Sequence, residues 1–171
     1  EELINIGAEC LIRIGSTAAL QDDIRIGDLI VSTGAMKNEG TSAFYVPDCF
    51  PAVPDFDLTR TIIDTARDMR KELGYGLFYG INATDDAFYG ETPEWIEKLH
   101  KLGCVNVEME SSAIYTVCHR RKRRGAMISA VSGNLVTADV IYETVNEKLV
   151  QGWEHEIRVI LEAIYRFDQG R

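Results

Sequence analysis

Residues 104–131, with the sequence CVNVEMESSAIYTVCHRRKRRGAMISAV, contain the pattern that decides the fold. Cys104–Val107 is a short apolar run typical of a buried strand. A longer run from about Glu108 to Arg124 spaces its apolar residues as a helix does and ends at Gly125. Met127–Val131 is a second apolar run of strand length. A strand, a helix and a strand in succession are typical of an α/β fold.

The rest of the chain continues this alternation. Further strands are predicted where short runs are apolar on both faces, as in a sheet covered on two sides: Cys10–Ile14, Leu29–Ser32 and Gly76–Ile81. Further helices are predicted from apolar spacing and end signals: Glu1–Ile6 before Gly7, Leu58–Leu73 before Gly74, Thr92 (cap) with Pro93 to Gly103, and about Val140 to Phe167, long or broken near Gly152. Without a linker or repeat, residues 1–171 are predicted to form one domain.

Composition excludes several classes of protein. The 171 residues are 46% hydrophobic and 26% charged, with a net charge of −9, which is an ordinary globular composition. The acidic balance disfavours nucleic-acid binding, and no apolar run approaches the roughly 20 residues that span a bilayer. Four scattered cysteines and three histidines fit neither a zinc site nor a disulfide framework. We therefore expect a cytoplasmic protein without a metal, a membrane segment or a nucleic-acid partner.

Two acids stand at the start of the helix predicted from about Glu108. At 100° per residue, Glu110 falls within the apolar stripe that includes Ala113 and Val117, whereas Glu108 falls outside it. One interpretation makes Glu110 a buried acid that faces a ligand. The other is that it only favours the positive end of the helix. The pattern leaves both open.

Arg13 interrupts the apolar strand Cys10–Ile14 just before Gly15, Ser16 and Thr17. An arginine on a covered strand needs an anionic partner. That partner is either a structural salt bridge or a bound anion, held by the guanidinium, the hydroxyls and the loop amides at the carboxyl end of the strand.

Two other segments give weaker signals. Phe88, in the loop Thr84–Gly90, either stacks on a flat base or packs the loop down, and spacing alone favours packing. The basic run His119–Arg124 occupies the predicted end of a helix, where cations oppose the negative end of the dipole. We interpret it as a solvated helix end rather than a nucleic-acid patch.

Five segments, in order along the chain, resemble the nucleoside phosphorylase family, and uridine phosphorylases most closely. They are residues 1–21, 27–28, 50–56, 88–89 and 106–111, in which RIGST (13–17) and EMES (108–111) are the specific motifs. The resemblance implies a three-layer α/β/α sandwich with a mixed, partly barrel-like central sheet. It also implies assembly as a homodimer or as a homohexamer built from dimers.

The resemblance assigns roles to seven residues. Two match residues that bind phosphate: Arg13 and Ser16. Five match the nucleoside-binding part of the site: Thr17, Phe88, Glu108, Met109 and Glu110. Arg13 and Glu110 are the two that it marks as catalytic, with Glu110 holding the sugar hydroxyls. The implied reaction is reversible phosphorolysis of a nucleoside, with inorganic phosphate as co-substrate and no cofactor or metal.

Departures from the family pattern concern the start of the chain and the base. The family has a preceding segment with a phosphate-contacting glycine-rich turn, so we expect a domain that lacks its N-terminal portion. The loop after Tyr89 is shorter than in uridine phosphorylases, and Gly133 stands where purine-acting relatives have an aspartate. Asn134 is predicted to offer an amide donor to a pyrimidine. Uridine is therefore the predicted substrate, a purine or broad-specificity phosphorylase is the second hypothesis, and a non-catalytic nucleoside-binding protein is the third.

Overall fold

The computed structural model describes residues 1–140 and 146–170. Within these residues strands and helices alternate in the order α1 Glu2–Asn5, β1 Cys10–Arg13, β2 Ser16–Ala19, β3 Leu29–Asn38, α2 Phe56–Leu73, β4 Leu77–Asp85, α3 Pro93–Lys101, β5 Asn106–Glu108, α4 Ser111–Arg120, β6 Arg124–Asn134, β7 Asp139–Val140 and α5 Glu147–Asp168. Short 3₁₀ turns lie at Ser42–Phe44 and Phe88–Gly90. The predicted α/β class is confirmed.

The strands form one mixed sheet, and five of them close into a barrel. The order is β6-β2-β5-β4-β3, and β3 returns to pair with β6. Strands β3, β4 and β5 run parallel to one another, whereas β2 is antiparallel to β5 and β3 is antiparallel to β6. Strand β1 extends the sheet beyond the barrel, parallel to the first half of β6. This arrangement is the mixed, partly barrel-like sheet that was expected.

Helices cover both faces of the sheet. On β6, Ala126, Ile128 and Ala130 pack into a core cluster with residues of α2 and α5. The side chain between the first two, Met127, points to the opposite face and packs with Tyr115 of α4. Side chains that point alternately to the two faces of β6 therefore pack against helices on both sides of the sheet. The result is the three layers of an α/β/α sandwich.

Local end signals placed several helices correctly. Gly74 ends α2 in the left-handed conformation at φ 79°. Thr92 caps α3 by accepting a hydrogen bond from the Trp95 amide, and Pro93 is the first residue of the helix. These signals are local, so they do not depend on the fold.

The predicted start of α4 is wrong by three residues. Strand β5 runs through Glu108, where Thr84 of β4 pairs with it, so the helix begins only at Ser111. Its buried residues are Ser111, Ser112, Tyr115, Thr116 and Cys118, so of the predicted apolar stripe only Cys118 is buried, and Ala113, Ile114 and Val117 are half-buried. The helix also ends early, at Arg120, so the basic run divides between a helix end, a turn at Lys122 and the start of β6.

Two further differences concern β2 and the last helix. Strand β2, with the sequence STAA, was not predicted, because two of its four residues are alanines, which are depleted in strands. Val140 lies in β7, and α5 begins at Glu147 and continues unbroken through Gly152. Residues 141–145, inside the predicted helix, lie outside the described residues.

Candidate functional site

The carboxyl ends of β4 and β5 and the amino end of β2 meet at one end of the barrel. Strand β4 pairs with β5 at Thr84 and Glu108. Strand β2 runs antiparallel to β5, with Ala18 opposite Val107, so Ser16 lies toward the same end as Glu108. Strand β1 brings Arg13 there beside β6. Residues that are far apart in the sequence therefore converge at this end, where α/β sheets bind ligands.

Arg13 is bound by both acids of the EMES motif. Its Nε donates to Glu110 Oε2 at 2.8 Å and lies 3.7 Å from Glu108 Oε2. Its Nη1 donates to Ser129 Oγ of β6 at 3.1 Å. The side chain is 16% exposed. Of the two interpretations of Arg13, the salt bridge is present, and the guanidinium also keeps an exposed portion that an anion can reach.

Glu108 is the buried acid of the site, with 1% of its side chain exposed. Its Oε1 accepts from Asn82 Nδ2, Thr84 Oγ1 and Ser111 Oγ at 2.6–2.7 Å. Its Oε2 accepts from the backbone amides of Glu110 and Ser111 at 2.8–2.9 Å. Five donors thus hold the carboxylate in one position, as burial of a charged group requires.

Glu110 is the accessible acid. Its side chain is 51% exposed, and the residue precedes the first turn of α4. The prediction that Glu110 lies on the buried stripe and Glu108 outside it is therefore wrong. The physical reason is the later start of α4, which rotates the acids relative to the predicted helix. Glu110 consequently faces solvent next to Arg13, while Met109 between the two acids is partly exposed.

The hydroxyls of Ser16 and Thr17 have different surroundings. Ser16 is exposed at the start of β2. Thr17 is buried, and its Oγ1 donates to Val107 O at 2.6 Å and accepts from Asn106 Nδ2 at 2.7 Å. The Thr17 hydroxyl therefore joins β2 to β5, whereas the Ser16 hydroxyl is available to a ligand.

Phe88 lies on the turn that follows β4. The ring is half exposed and meets Tyr89 edge to face, with ring centroids 5.2 Å apart. Phe88 is therefore not packed into the core, although the spacing had favoured packing.

Just beyond this turn, burial raises the pKa of Glu91 to about 7, and the nearby Asp85 carboxylate adds to the effect.

Asn134 does not have the free amide that was predicted for it. Its Nδ2 donates to Gln21 O and Ile24 O at 2.8 and 3.0 Å. Its Oδ1 accepts from the amides of Val136 and Thr137. The side chain is buried and its hydrogen-bonding capacity is used within the protein, so the prediction that it binds a pyrimidine is wrong.

Sequence reasoning missed the residues that hold Glu108 and Arg13: Asn82, Thr84, Ser111 and Ser129. Asn82 and Thr84 belong to the run NATD (82–85), which follows the predicted strand Gly76–Ile81 and forms the polar end of β4. Polar residues at a strand end were the available signal. Which acid they contact depends on the pairing of β4 with β5.

Neither a metal site nor a membrane-spanning helix is found among the described residues. Residues 1–140 and 146–170 contain no group of three or more His, Cys, Asp or Glu side chains placed to hold a metal ion. In the same ranges, every helix is too short or too polar to cross a membrane.

Comparison with known proteins identifies the family. The model of the phosphorylase superfamily matches residues 1–164. A guanosine phosphorylase of Halorubrum lacusprofundi is 34% identical over 96% of this chain and 68% of its own length. A uridine phosphorylase of Klebsiella aerogenes is 30% identical over 97% of this chain and 68% of its own length. The chain therefore belongs to the phosphorylase superfamily, which confirms the resemblance to nucleoside phosphorylases.

A solved structure shows the same fold. A P knowlesi homolog of P falciparum PNP superposes with a TM-score of 0.80 and 29% sequence identity. The match covers 99% of this chain and 66% of that chain. This chain thus spans about two thirds of the length of the proteins it resembles.

Proposed function

We propose that the full-length protein is a nucleoside phosphorylase, which transfers the sugar of a nucleoside from the base to inorganic phosphate. The observation that carries the proposal is the contact of Arg13 with Glu110 at an open end of the barrel. A cation and an acid in contact there offer binding groups for an anion and for sugar hydroxyls side by side. Membership of the phosphorylase superfamily supports the same activity.

Six of the seven residues selected by the resemblance have a direct role in this proposal, and Thr17 stabilises the site by joining β2 to β5. Arg13 and the exposed hydroxyl of Ser16 bind phosphate, and Glu110 accepts hydrogen bonds from the ribose hydroxyls. Glu108 is a positioning residue, because its ion pair with Arg13 and its bond to the Glu110 amide fix both neighbours. Met109 and Phe88 contribute apolar surface to the nucleoside.

The chemistry follows from this arrangement. A phosphate oxygen forms a bond to the anomeric carbon while the bond from that carbon to the base nitrogen breaks, and the electron pair leaves with the base. Holding the two reactants in contact lowers the entropic part of the barrier. The sugar gains positive charge in the transition state, which the fixed carboxylates stabilise. Phosphate is itself the nucleophile, so we propose that no cofactor and no covalent enzyme intermediate take part.

Arg13→Ala in the full-length protein tests the proposal. Loss of the guanidinium should lower kcat/KM about 100- to 1,000-fold, as removal of a charged group that stabilises a transition state does. Arg158→Ala is the matched control, since Arg158 lies on α5 in an exposed pair with Glu72. Cleavage that proceeds equally well in phosphate-free buffer would refute the phosphorylase proposal. Nucleoside binding without cleavage would instead favour the non-catalytic hypothesis.

We propose two candidates for the base that leaves, in order of preference. Uridine remains the first candidate, because Gly133 carries no acid to protonate a purine and several relatives are named uridine phosphorylases. Guanosine or another purine nucleoside is the second candidate, favoured by the bonded amide of Asn134, which has no hydrogen left for a pyrimidine. Measurement of kcat/KM for uridine, guanosine and inosine in phosphate buffer decides between them. A clear purine preference would overturn the uridine assignment alone.

We also propose a cytoplasmic homodimer or a homohexamer built from dimers. Exposed apolar side chains near the start of α2 and on β4 support self-association, since such groups are common at interfaces: Val53, Phe56, Tyr79 and Ile81. Light scattering coupled to size-exclusion chromatography measures the assembly, and a monomer at micromolar concentration would contradict it.

A further inference from the structure

Helix α5 carries an apolar stripe on the side turned away from α2. Two ion pairs mark the side of α5 that faces α2: Arg158 with Glu72 and Arg166 with Asp68. At 100° per residue, the opposite side carries four large apolar residues, which we call the α5 stripe: Trp153, Ile157, Ile160 and Ile164. Ile160 is buried, whereas Trp153, Ile157 and Ile164 are 37%, 45% and 48% exposed. Among the described residues, most of this apolar face therefore lacks a neighbour to pack against.

Strand β1 is an edge strand without the usual protection of an edge. Within residues 1–140 and 146–170 it pairs with β6 and with no other strand. Its outer edge therefore presents unpaired backbone N–H and C=O groups, on which another strand can assemble. Natural edge strands are protected by charged side chains, prolines or bulges. In β1, with the sequence CLIR, the one charged residue is Arg13, and it is engaged with Glu110.

The α5 stripe and the edge of β1 border the same open space. A cavity of about 570 Å³ is lined by Cys10 and Ile12 of β1 and by Ile164 and Phe167 of α5. Ile164 belongs to the α5 stripe. Ile12 and Phe167 also pack against the core cluster that contains residues of α2, α5 and β6. The open space is therefore continuous with the hydrophobic core of the protein.

This cavity also holds a polar group that lacks a partner. Arg123, between α4 and β6, lines the cavity, and its buried Nε has no hydrogen-bond partner in the described part of the chain. Buried donors in folded proteins are normally paired with an acceptor. The occupant that fits this space therefore has a strand backbone for the edge of β1, apolar side chains for the α5 stripe and an oxygen acceptor for Arg123.

We propose that a segment of the full-length protein outside residues 1–171 adds a strand to the open edge of β1 and packs its apolar side chains against the α5 stripe. The length of the relatives supports an occupant from the same chain, since this chain covers 68% of the guanosine phosphorylase and 66% of the chain in the solved structure. A segment of the same polypeptide also docks without the entropic cost of bringing two molecules together. Continuity of the space with the core favours the same occupant. Docking of this segment does not depend on the proposed activity.

Ile157→Ala in the full-length protein tests the contact with the α5 stripe. A docked segment would bury Ile157, so its truncation should lower Tm by about 5–10 °C. Leu102→Ala is the matched control, because Leu102 is an exposed aliphatic residue at the end of α3, a helix that packs in a different core cluster. It should change Tm by no more than about 1 °C. Equal Tm values for the two variants would overturn the proposal.

The reactivity of Cys10 tests the edge of β1 without a substitution. Cys10 is exposed at the start of β1 and lines the cavity, so a docked strand would shield its thiol. Iodoacetamide should modify Cys10 of the folded full-length protein about 100-fold more slowly than in urea, with the modified peptide identified by mass spectrometry. Cys49, also exposed, gives the rate of an open thiol in the same sample. Modification of Cys10 at a rate within about threefold of that in urea would overturn the proposal.

Dilution distinguishes the docked segment from a second copy of the protein. Shielding by a segment of the same chain is independent of protein concentration, so the rate at Cys10 should be the same at micromolar and nanomolar protein. Shielding that is lost on dilution would identify a second copy as the occupant and would overturn the proposal.

Discussion

The two buried glutamates among residues 1–140 and 146–170 occupy opposite kinds of surroundings. Glu108, at the open end of the barrel, receives five hydrogen bonds and lies beside Arg13. Glu156, on the helix behind the sheet, has an oxygen without a partner among the described residues and a pKa raised to about 8. Both are almost fully buried. Two carboxyl groups that are equally buried can therefore behave differently, because the hydrogen-bond donors around them differ.

The largest effect that tests this comparison is expected for Glu108→Gln. The NH₂ group of the glutamine would face groups that donate hydrogen bonds to Glu108 in the parent. The change would also remove one of the two acids beside Arg13. We expect the free energy of unfolding to fall by about 3–5 kcal/mol, as when one partner of a buried charged network is removed. Urea denaturation measures it. Glu97→Gln is the control, since Glu97 is exposed and pairs with Lys101, and it should leave the midpoint unchanged. A variant of Glu108 as stable as the parent would show that the five bonds are not needed.

An effect of similar size is expected for Glu156, and it depends on pH. The folded protein holds the proton of Glu156 up to about pH 8, whereas an unfolded chain releases it near the ordinary value of 4.5. Stability contributed by this proton is therefore complete below about pH 4.5 and is lost as pH rises toward 8. The parent should lose about 4–5 kcal/mol over this range relative to Glu156→Gln. Urea denaturation of both proteins at several pH values measures the difference, and a difference independent of pH would contradict the raised pKa.

The smallest effect in free energy is expected for Glu110→Gln, which tests the accessible acid instead of the buried ones. Loss of the charge beside the ribose hydroxyls should lower kcat about 10- to 100-fold. Tm should stay within error, because half of the side chain is exposed and its ion pair is screened. Steady-state kinetics and thermal denaturation of the full-length protein measure the two quantities. Wild-type turnover in this variant would show that Glu110 only interacts favourably with the positive end of α4.

The sequence was sufficient to select charged residues that the fold brings together, but it did not predict their arrangement. Arg13 and the two acids were identified from a charge within an apolar strand and from one motif. The roles of Glu108 and Glu110 as buried and exposed were reversed, because periodicity began α4 three residues early. The start of that helix depends on the pairing of Thr84 with Glu108, which is a contact between distant parts of the chain.

Residues that form hydrogen bonds between different strands and helices were the hardest to predict. Asn82 and Thr84 become partners of Glu108 only once β4 lies beside β5. Asn134 shows the reverse case, because its amide looked available in the sequence and is bonded to two carbonyls in the fold. Glu156 gave no signal at all, since the groups that act on its pKa include residues about 140 positions earlier. Local signals such as Gly74 and Thr92, by contrast, were correct.

The double role of β6 has a consequence for how the chain folds. The strand pairs with β1 at its start and with β3 through Leu29–Val31, which lies about 100 residues earlier in the sequence. The barrel therefore cannot close during synthesis until β6 has left the ribosome. Contacts of such long sequence separation carry a large loop-closure entropy and slow the rate-limiting step of folding. Until that step, the edges of β2 and β3 that β6 covers are unpaired, so this interval is when the nascent chain is most exposed to aggregation.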